Sequence, residues 1–359
     1  MKKQLMRDEC GRYEAQITKK RLTILAMVIL LVVVSVYSMM KGSMQLSAKD
    51  ILLTLMGKGE SMWETVVFGN RLPRVATTVL VGTILAVCGA AMQCVLNNQL
   101  ASASTLGVSQ GAAFGAALGI IVFGGGVVNS TATAVAVEIN NPYIVSLCAF
   151  VFGSLTAVVI LILSQMKRTL GPAGLVLAGT AISAMFAGGS TLLQYFADES
   201  RISAVVFWTF GNLGGTGWDD IKVLAIVFVV VFIYLLLNRW NFNAMSCGAE
   251  TAKSLGVNAR AVMLTTMLIS SVASSMAVAF VGIINFVGLI APHMMRRFVG
   301  DDYRYLIPAS ALAGALVLMV ADTFGRLIIA PVILPVGAIT SFLGAPVFLA
   351  MLMRGGKRE

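Results

Sequence analysis

"FGNRLPRVATTVLVG", Phe68 to Gly82, sets Arg71 and Arg74 three residues apart, directly before a long apolar run. A run that crosses a bilayer needs roughly 20 apolar residues, and arginines beside such a span ordinarily mark its cytoplasmic end. Pro73 suits the first turn of a helix, where its missing N–H costs nothing. The three-residue spacing predicts both guanidinium groups on one side of that turn. Which face of the membrane this turn meets depends on the remaining charges.

The 359 residues are 58% hydrophobic and 12% charged, about half the roughly 25% charge of a soluble domain. Mean hydropathy is +0.89. The chain reads as an all-α polytopic membrane protein of about ten helices. The apolar runs place spans at 22–40, 75–96, 105–123, 143–164, 174–196, 221–238, 263–283, 284–298, 306–325 and 336–353. This predicts a basic tail over 1–21, one transmembrane domain over 22–354 with a cytoplasmic loop at 239–262, and a short tail at 355–359. The first run exceeds the roughly 7–15-residue core of a signal peptide, so it is expected to be retained as a span.

With the N-terminus inside, 18 of the 26 Lys and Arg fall on cytoplasmic segments. Seven lie in residues 1–21, followed by Lys167, Arg168, Arg239, Lys253, Arg260, Arg296, Arg297, Arg304, Arg354, Lys357 and Arg358. The opposite orientation inverts that ratio against the positive-inside bias. Both termini are therefore expected in the cytoplasm, with Arg71 and Arg74 on the outer face. There they either snorkel to headgroups or meet a partner. The net charge of +10 is spread between spans and forms no patch suited to nucleic acid.

"LGVSQGAAFGAALG" repeats glycine every fourth residue, at Gly107, Gly111, Gly115 and Gly119. Such a stripe lets a second helix backbone approach closely. Gly82, Ala86 and Ala90 make another. Asp322 and Arg326 stand four apart and can satisfy each other across one turn. Carboxylates or histidines near the bilayer middle, which a proton-coupled carrier uses, are not obvious. His293 follows Pro292, which loosens its helix, and reads as a packing or hydrogen-bonding residue. The cysteines at 10, 88, 94, 148 and 247 lack metal-ligand spacing, and the 20 methionines suit flexible packing. "MGKGES" lacks the upstream glycine and following hydroxyl of a phosphate-cradling loop. No nucleophile–base set or paired-carboxylate site is evident, so the chain does not read as an enzyme.

"SCGAETAKSLGVNARAV" lies between the sixth and seventh spans. Ala249, Ala252 and Leu255 recur every three residues opposite Glu250 and Lys253, and Gly256 is a helix stop. This predicts a short amphipathic helix, either resting in the lipid interface or serving as a handle for a cytoplasmic partner.

Taken in order, "RLPR" at 71–74, "GAAMQ" at 89–93, "NNQLASASTLGVSQGAAFGA" at 97–116, "AKSLGV" at 252–257, "FVGLIAPHMMRRFVGDDYR" at 286–304 and "LPVGAITSFLGAPVF" at 334–348 carry a resemblance. From about residue 22 to 354 the chain resembles permease subunits of the iron-siderophore, haem and cobalamin ABC importers, the type II importers. The resemblance implies ten spans per subunit in the cytoplasmic (inner) membrane and a homodimer with the pathway on its two-fold axis. It also implies two cytoplasmic ATPase subunits, which use ATP and Mg, and an extracytoplasmic substrate-binding protein; this chain itself holds no cofactor or metal.

In that family, arginines at the positions of Arg71, Arg74 and Arg326 face the binding protein's glutamates. Gly248 to Arg260, including Glu250, Ala252, Lys253, Leu255 and Gly256, matches the helix that inserts into each ATPase. Asn98, Leu100, Gly171 and Pro172 match the cytoplasmic gate. The family's gate prolines are replaced here by Gln99 and Ala103, which predicts a softer loop because proline fixes φ. Ferric chelate, haem, cobalamin and oxyanion importers share this scaffold, and the iron chelates are the most numerous group. An ion-driven carrier and a membrane scaffold or sensor are the alternatives from other classes.

Overall fold

The computed structural model describes residues 2–42, 44–125, 127–131, 134–138, 141–166, 171–330 and 332–355. Lys167, Arg168 and residues 356–359 of the expected tail lie outside them, as does the side chain of Pro172.

The chain begins with α1 (Lys2–Met40), α2 (Ala48–Leu55) and α3 (Ser61–Val66); a π-helical turn at Val67–Arg71 leads into α4 (Leu72–Val95). Next come α5 (Val108–Ile121), the strands β1 (Val127–Thr131) and β2 (Ala134–Glu138), then α6 (Pro142–Met166), α7 (Pro172–Tyr195) and α8 (Glu199–Thr209). The second half holds α9 (Trp218–Leu237), α10 (Arg239–Ser246), α11 (Ala249–Ser254), α12 (Ala259–Val281), α13 (Val287–Val299), α14 (Tyr303–Leu327) and α15 (Val336–Gly355).

Each expected span falls on a helix. Among the described residues, seven helices are long and apolar enough to cross a membrane, while α5 and α15 are apolar but shorter. Three expectations shift. The helix expected from residue 22 begins at Lys2 and absorbs the basic tail. An antiparallel hairpin pairs β1 with β2 between α5 and α6, where helices alone were expected. The short α2 and α3 were not expected, although Ser47 and Asp50 carry a signal for α2. The Ser47 hydroxyl accepts from Asp50 N–H, and the Asp50 carboxylate accepts from Ser47 N–H, at 3.2 and 2.9 Å. That is a reciprocal cap.

The bundle is built around α4 and α14, whose most apolar windows are each 78% buried, against 17% for α7 and 11% for α1. α4 packs on α14, α12, α13 and α9. Small residues make this possible: a Cβ at Gly82 or Gly314 meets the other's backbone carbonyl, and one at Gly89 meets that of Gly288. In a bilayer, where lipid removes most of the hydrophobic drive between helices, such close backbone contact is a principal source of association. The second layer is α5 on α6. Gly111, Gly115 and Gly119 press against the backbone of Phe152, Cys148 and Val145, one turn apart on each helix. Gly107 differs in role, capping α5 with φ +87° beside Gly179 of α7.

Between α12 and α13 the chain is not helical. Gly282 ends α12 at φ +78° and Phe286 enters α13 at φ +66°. Neighbouring loops close on this break: Asn212 N–H donates to Val281 O at 2.7 Å, and Gly211 and Gly337 pack so near the Ile283 carbonyl that a Cβ on either would meet it. α13, which follows the break, has only 13 residues.

Candidate functional site

At the start of α4 the two arginines part company. Arg71 closes the π turn, whose wider winding takes it off the α-helical register. Its guanidinium donates to the carbonyls of Met39, Met40 and Met44. Arg74 instead grips Asp322 of α14 through Nε and Nη2, at 2.7 to 3.1 Å. One side for both, as the spacing predicted, is therefore corrected to two partners. Asp322 also receives Arg326 Nε at 3.0 Å across one helical turn. Arg326 reaches on to the Lys41 and Ser38 carbonyls and the Ser38 hydroxyl.

Three guanidinium groups thus gather around one carboxylate and the end of α1. The side chains of Arg74 and Arg326 are 12% and 11% exposed, and that of Asp322 is 2% exposed. Exposed arginines were expected; these are largely buried and internally bonded. Burying this much charge is tolerable only because each group is ion-paired or hydrogen-bonded, and within the cluster three guanidinium groups face one carboxylate. A cavity of about 420 Å³ opens beside Arg74, bounded by Phe207, Trp208, Asn212, Val281 and Pro335.

The 248–256 segment lies at the opposite end of α4 and α14. Gly248 enters at φ +104°, which strongly favours glycine, and α11 runs only from Ala249 to Ser254. Gly256 leaves at φ +82°. Its N–H donates to Lys253 O and that of Val257 to Ala252 O, a paired C-terminal cap. The expected apolar face divides. Ala252 is fully buried, whereas Ala249 is exposed and Leu255 is 67% exposed, beside exposed Glu250 and Lys253. Leu255 therefore presents a free apolar side chain with charges around it.

The residues expected at the gate sit at this same end. Asn98 Oδ1 accepts from Leu100 N–H at 2.9 Å, and Leu100 is 41% exposed. Gly171 is exposed ahead of α7, and a Cβ there meets open space. Where the family has prolines, hydroxyls brace the loop: Thr105 Oγ1 donates to Ser102 O at 2.9 Å and accepts from Ser102 N–H at 2.8 Å, with Ser104 bonded to Ser102. The softer loop expected from missing prolines thus carries its own restraint.

A polar clasp at this end escaped the sequence reading. Arg296 Nη1 donates to Gln93 Oε1 at 2.5 Å, its Nε to Asp301 at 3.0 Å and its Nη2 to the Tyr303 hydroxyl at 3.4 Å. Asn243 donates to Asp302 at 3.1 Å and accepts from Tyr303 N–H at 2.7 Å. Burial pushes the Asp302 carboxyl up, but hydrogen bonds from Arg304 and Asn243 outweigh it and hold the group below its ordinary range. "NFNAMS" and "GDDY" are separated by almost sixty residues, so only the acidic pair before a helix start hinted at a cap.

The model of the FecCD transport family matches residues 30–354. The chain belongs to that family. The ABC transporter permease protein MJ0087 of Methanocaldococcus jannaschii is 46% identical over 347 residues, covering 97% of this chain and 98% of that one. The Fe(3+)-citrate import system permease YfmE of Bacillus subtilis is 34% identical over 94% of this chain and 96% of its own. A metal-chelate type ABC transporter solved in an inward-facing conformation superposes with a TM-score of 0.79 at 28% identity, covering 92% of this chain and 98% of that one. The resemblance to permeases of the iron-siderophore, haem and cobalamin importers, read from six separated motifs, is met, and with it a multi-pass membrane protein.

Proposed function

We propose that this FecCD protein is the homodimeric permease of an ATP-driven importer in the cytoplasmic membrane, passing a metal chelate, an iron-siderophore complex, inward. A binding protein docks on the outer end at Arg71, Arg74 and Arg326. Two ATPase subunits, which bind ATP and Mg, grip α11 at the inner end, and Asn98, Leu100, Gly171 and Pro172 border the cytoplasmic gate.

The observation that supports this most is the separation of the two candidate surfaces. α4 has 24 residues and runs from Arg74 at one end to Gln93 at the other. At about 1.5 Å per residue it spans the roughly 30 Å of a bilayer's hydrocarbon core. The arginine cluster and α11 therefore lie about a membrane thickness apart, with Arg239, Arg260, Arg296, Arg297 and Arg304 toward the α11 end. Carboxylates of a docking partner complement the surplus guanidinium charge, which favours steering and register over affinity. The relative named for ferric citrate and the metal-chelate neighbour favour an iron chelate as cargo.

The test is association of the binding protein with the assembled transporter in nanodiscs. Arg74→Gln and Arg326→Gln retain Asp322 with one guanidinium each, avoiding the repulsion a glutamate would meet. Each is expected to weaken docking about tenfold and to flatten its salt dependence. Unchanged affinity and unchanged salt dependence in both variants remove the docking claim.

A further inference from the structure

α4 and α14 run antiparallel and are tied at three levels. Arg74 holds Asp322 at one end. In the middle Gly82 and Gly314 meet backbone to backbone, and the Thr83 hydroxyl donates to Ala311 O at 3.3 Å. At the other end Arg296 of α13 joins Gln93 of α4 to Tyr303 of α14. Well-packed, multiply bonded helices resist independent sliding, because close-packed interiors transmit displacement instead of absorbing it.

The helix that leads into α11 is fastened to the same pair. Fully buried Phe242 accepts from the Cys94 thiol at 3.3 Å through its carbonyl, and its ring lies 5.7 Å from that of Tyr303. Asn243 completes the joint, using both ends of its amide: Nδ2 to Asp302 and Oδ1 from Tyr303 N–H. Trp240 of α10 adds a contact to the same helix start, its ring centroid 4.9 Å from the Arg304 guanidinium. Serving the α14 N-terminus from the side chain of another helix fixes the angle between them.

We propose that α4, α14 and α10 form one strut from the arginine cluster to the ATPase-side helix, with Asn243 as the positioning residue at its lower joint. This rests on the docking reading above. Displacement at the outer end then arrives at α11 as rigid-body motion. Cutting the joint at Asn243 leaves both surfaces in place and removes the communication between them.

The test uses the full transporter with its ATPase and binding protein in nanodiscs, reading docking affinity and binding-protein stimulation of ATP hydrolysis separately. Asn243→Ala is expected to keep docking within about twofold and to cut stimulation at least fivefold, the lower range of allosteric coupling. The swap N243D/D302N restores a donor–acceptor pair and keeps a capping side chain on α14, so it is expected to recover most of the stimulation that N243D alone loses. Full stimulation in Asn243→Ala overturns the strut, as does a swap that recovers nothing. If docking is indifferent to Arg74→Gln while Asn243→Ala still abolishes stimulation, the docking reading fails and the joint stands. Should Asn243→Ala not assemble, spin labels at Phe324→Cys and at the native, exposed Cys247, with the cysteines at 10 and 148 changed to serine and the labelled protein diluted with unlabelled, decide. A separation constant to within about 2 Å between nucleotide-free and ATP-bound states supports one body, and a larger change overturns it.

Discussion

α14 and α7 are of nearly equal length, yet they serve opposite purposes. α14 is closed in on almost every side, and its glycine at 314 touches the backbone of α4. α7 shows Leu177, Met185, Leu192 and Tyr195 at 63 to 80% exposure, and a Cβ at its Gly188 meets nothing within 4 Å. The same residue type is indispensable in one helix and replaceable in the other. Hydrophobicity says only that both helices suit a membrane; what they touch separates a fixed support from an open surface.

That contrast can be broken in several places. The largest effect is expected at Asp322: Asp322→Ala leaves Arg74 and Arg326 buried without their carboxylate and should cost about 3–5 kcal/mol. Thermal unfolding in detergent reads this, and a midpoint near that of the parent chain would mean that the cluster is not structural. Next, Gly314→Ala places a methyl against the Gly82 carbonyl and should destabilise by about 1–3 kcal/mol. Gly188→Ala in α7 should be neutral or stabilise by up to about 1 kcal/mol, the ordinary helix preference for alanine. Equal effects of the two would erase the distinction. In the loop expected to form the gate, Thr105→Val removes both bonds between the Thr105 hydroxyl and the Ser102 backbone and should cost about 1–3 kcal/mol; no change indicates that Ser102 and Ser104 hold the loop alone. The smallest stability effect belongs to Leu255→Ala, within about 0.5 kcal/mol because the side chain is exposed. The same variant should lower ATPase-coupled transport, and intact coupling speaks against α11 as the grip.

How much was legible in the sequence follows from how local each signal is. Hydropathy placed every span on a helix, and the four-residue period of Gly111, Gly115 and Gly119 announced close packing without naming α6 as the partner. Asp322 with Arg326 was readable because the pair lies within one turn. Arg74, 248 positions away from Asp322, was not, since no local pattern reveals which helices become neighbours. The burial of the arginines escaped notice for the same reason: charge beside a span suggests exposure until the end of α1 is seen to fold over it. Asn243 gave no signal at all, because its importance lies in the start of a helix it does not belong to.

The central claim is that the arginine cluster and α11 face opposite sides of the membrane, and two thiols can report it directly. Asn70, beside Arg71, is exposed, as is the native Cys247 just ahead of α11. In cells expressing Asn70→Cys, with the cysteines at 10 and 148 changed to serine, an impermeant maleimide should label position 70 in intact cells. It should reach Cys247 only after permeabilisation. Labelling in the reverse order, or of both thiols from the same side, contradicts the account.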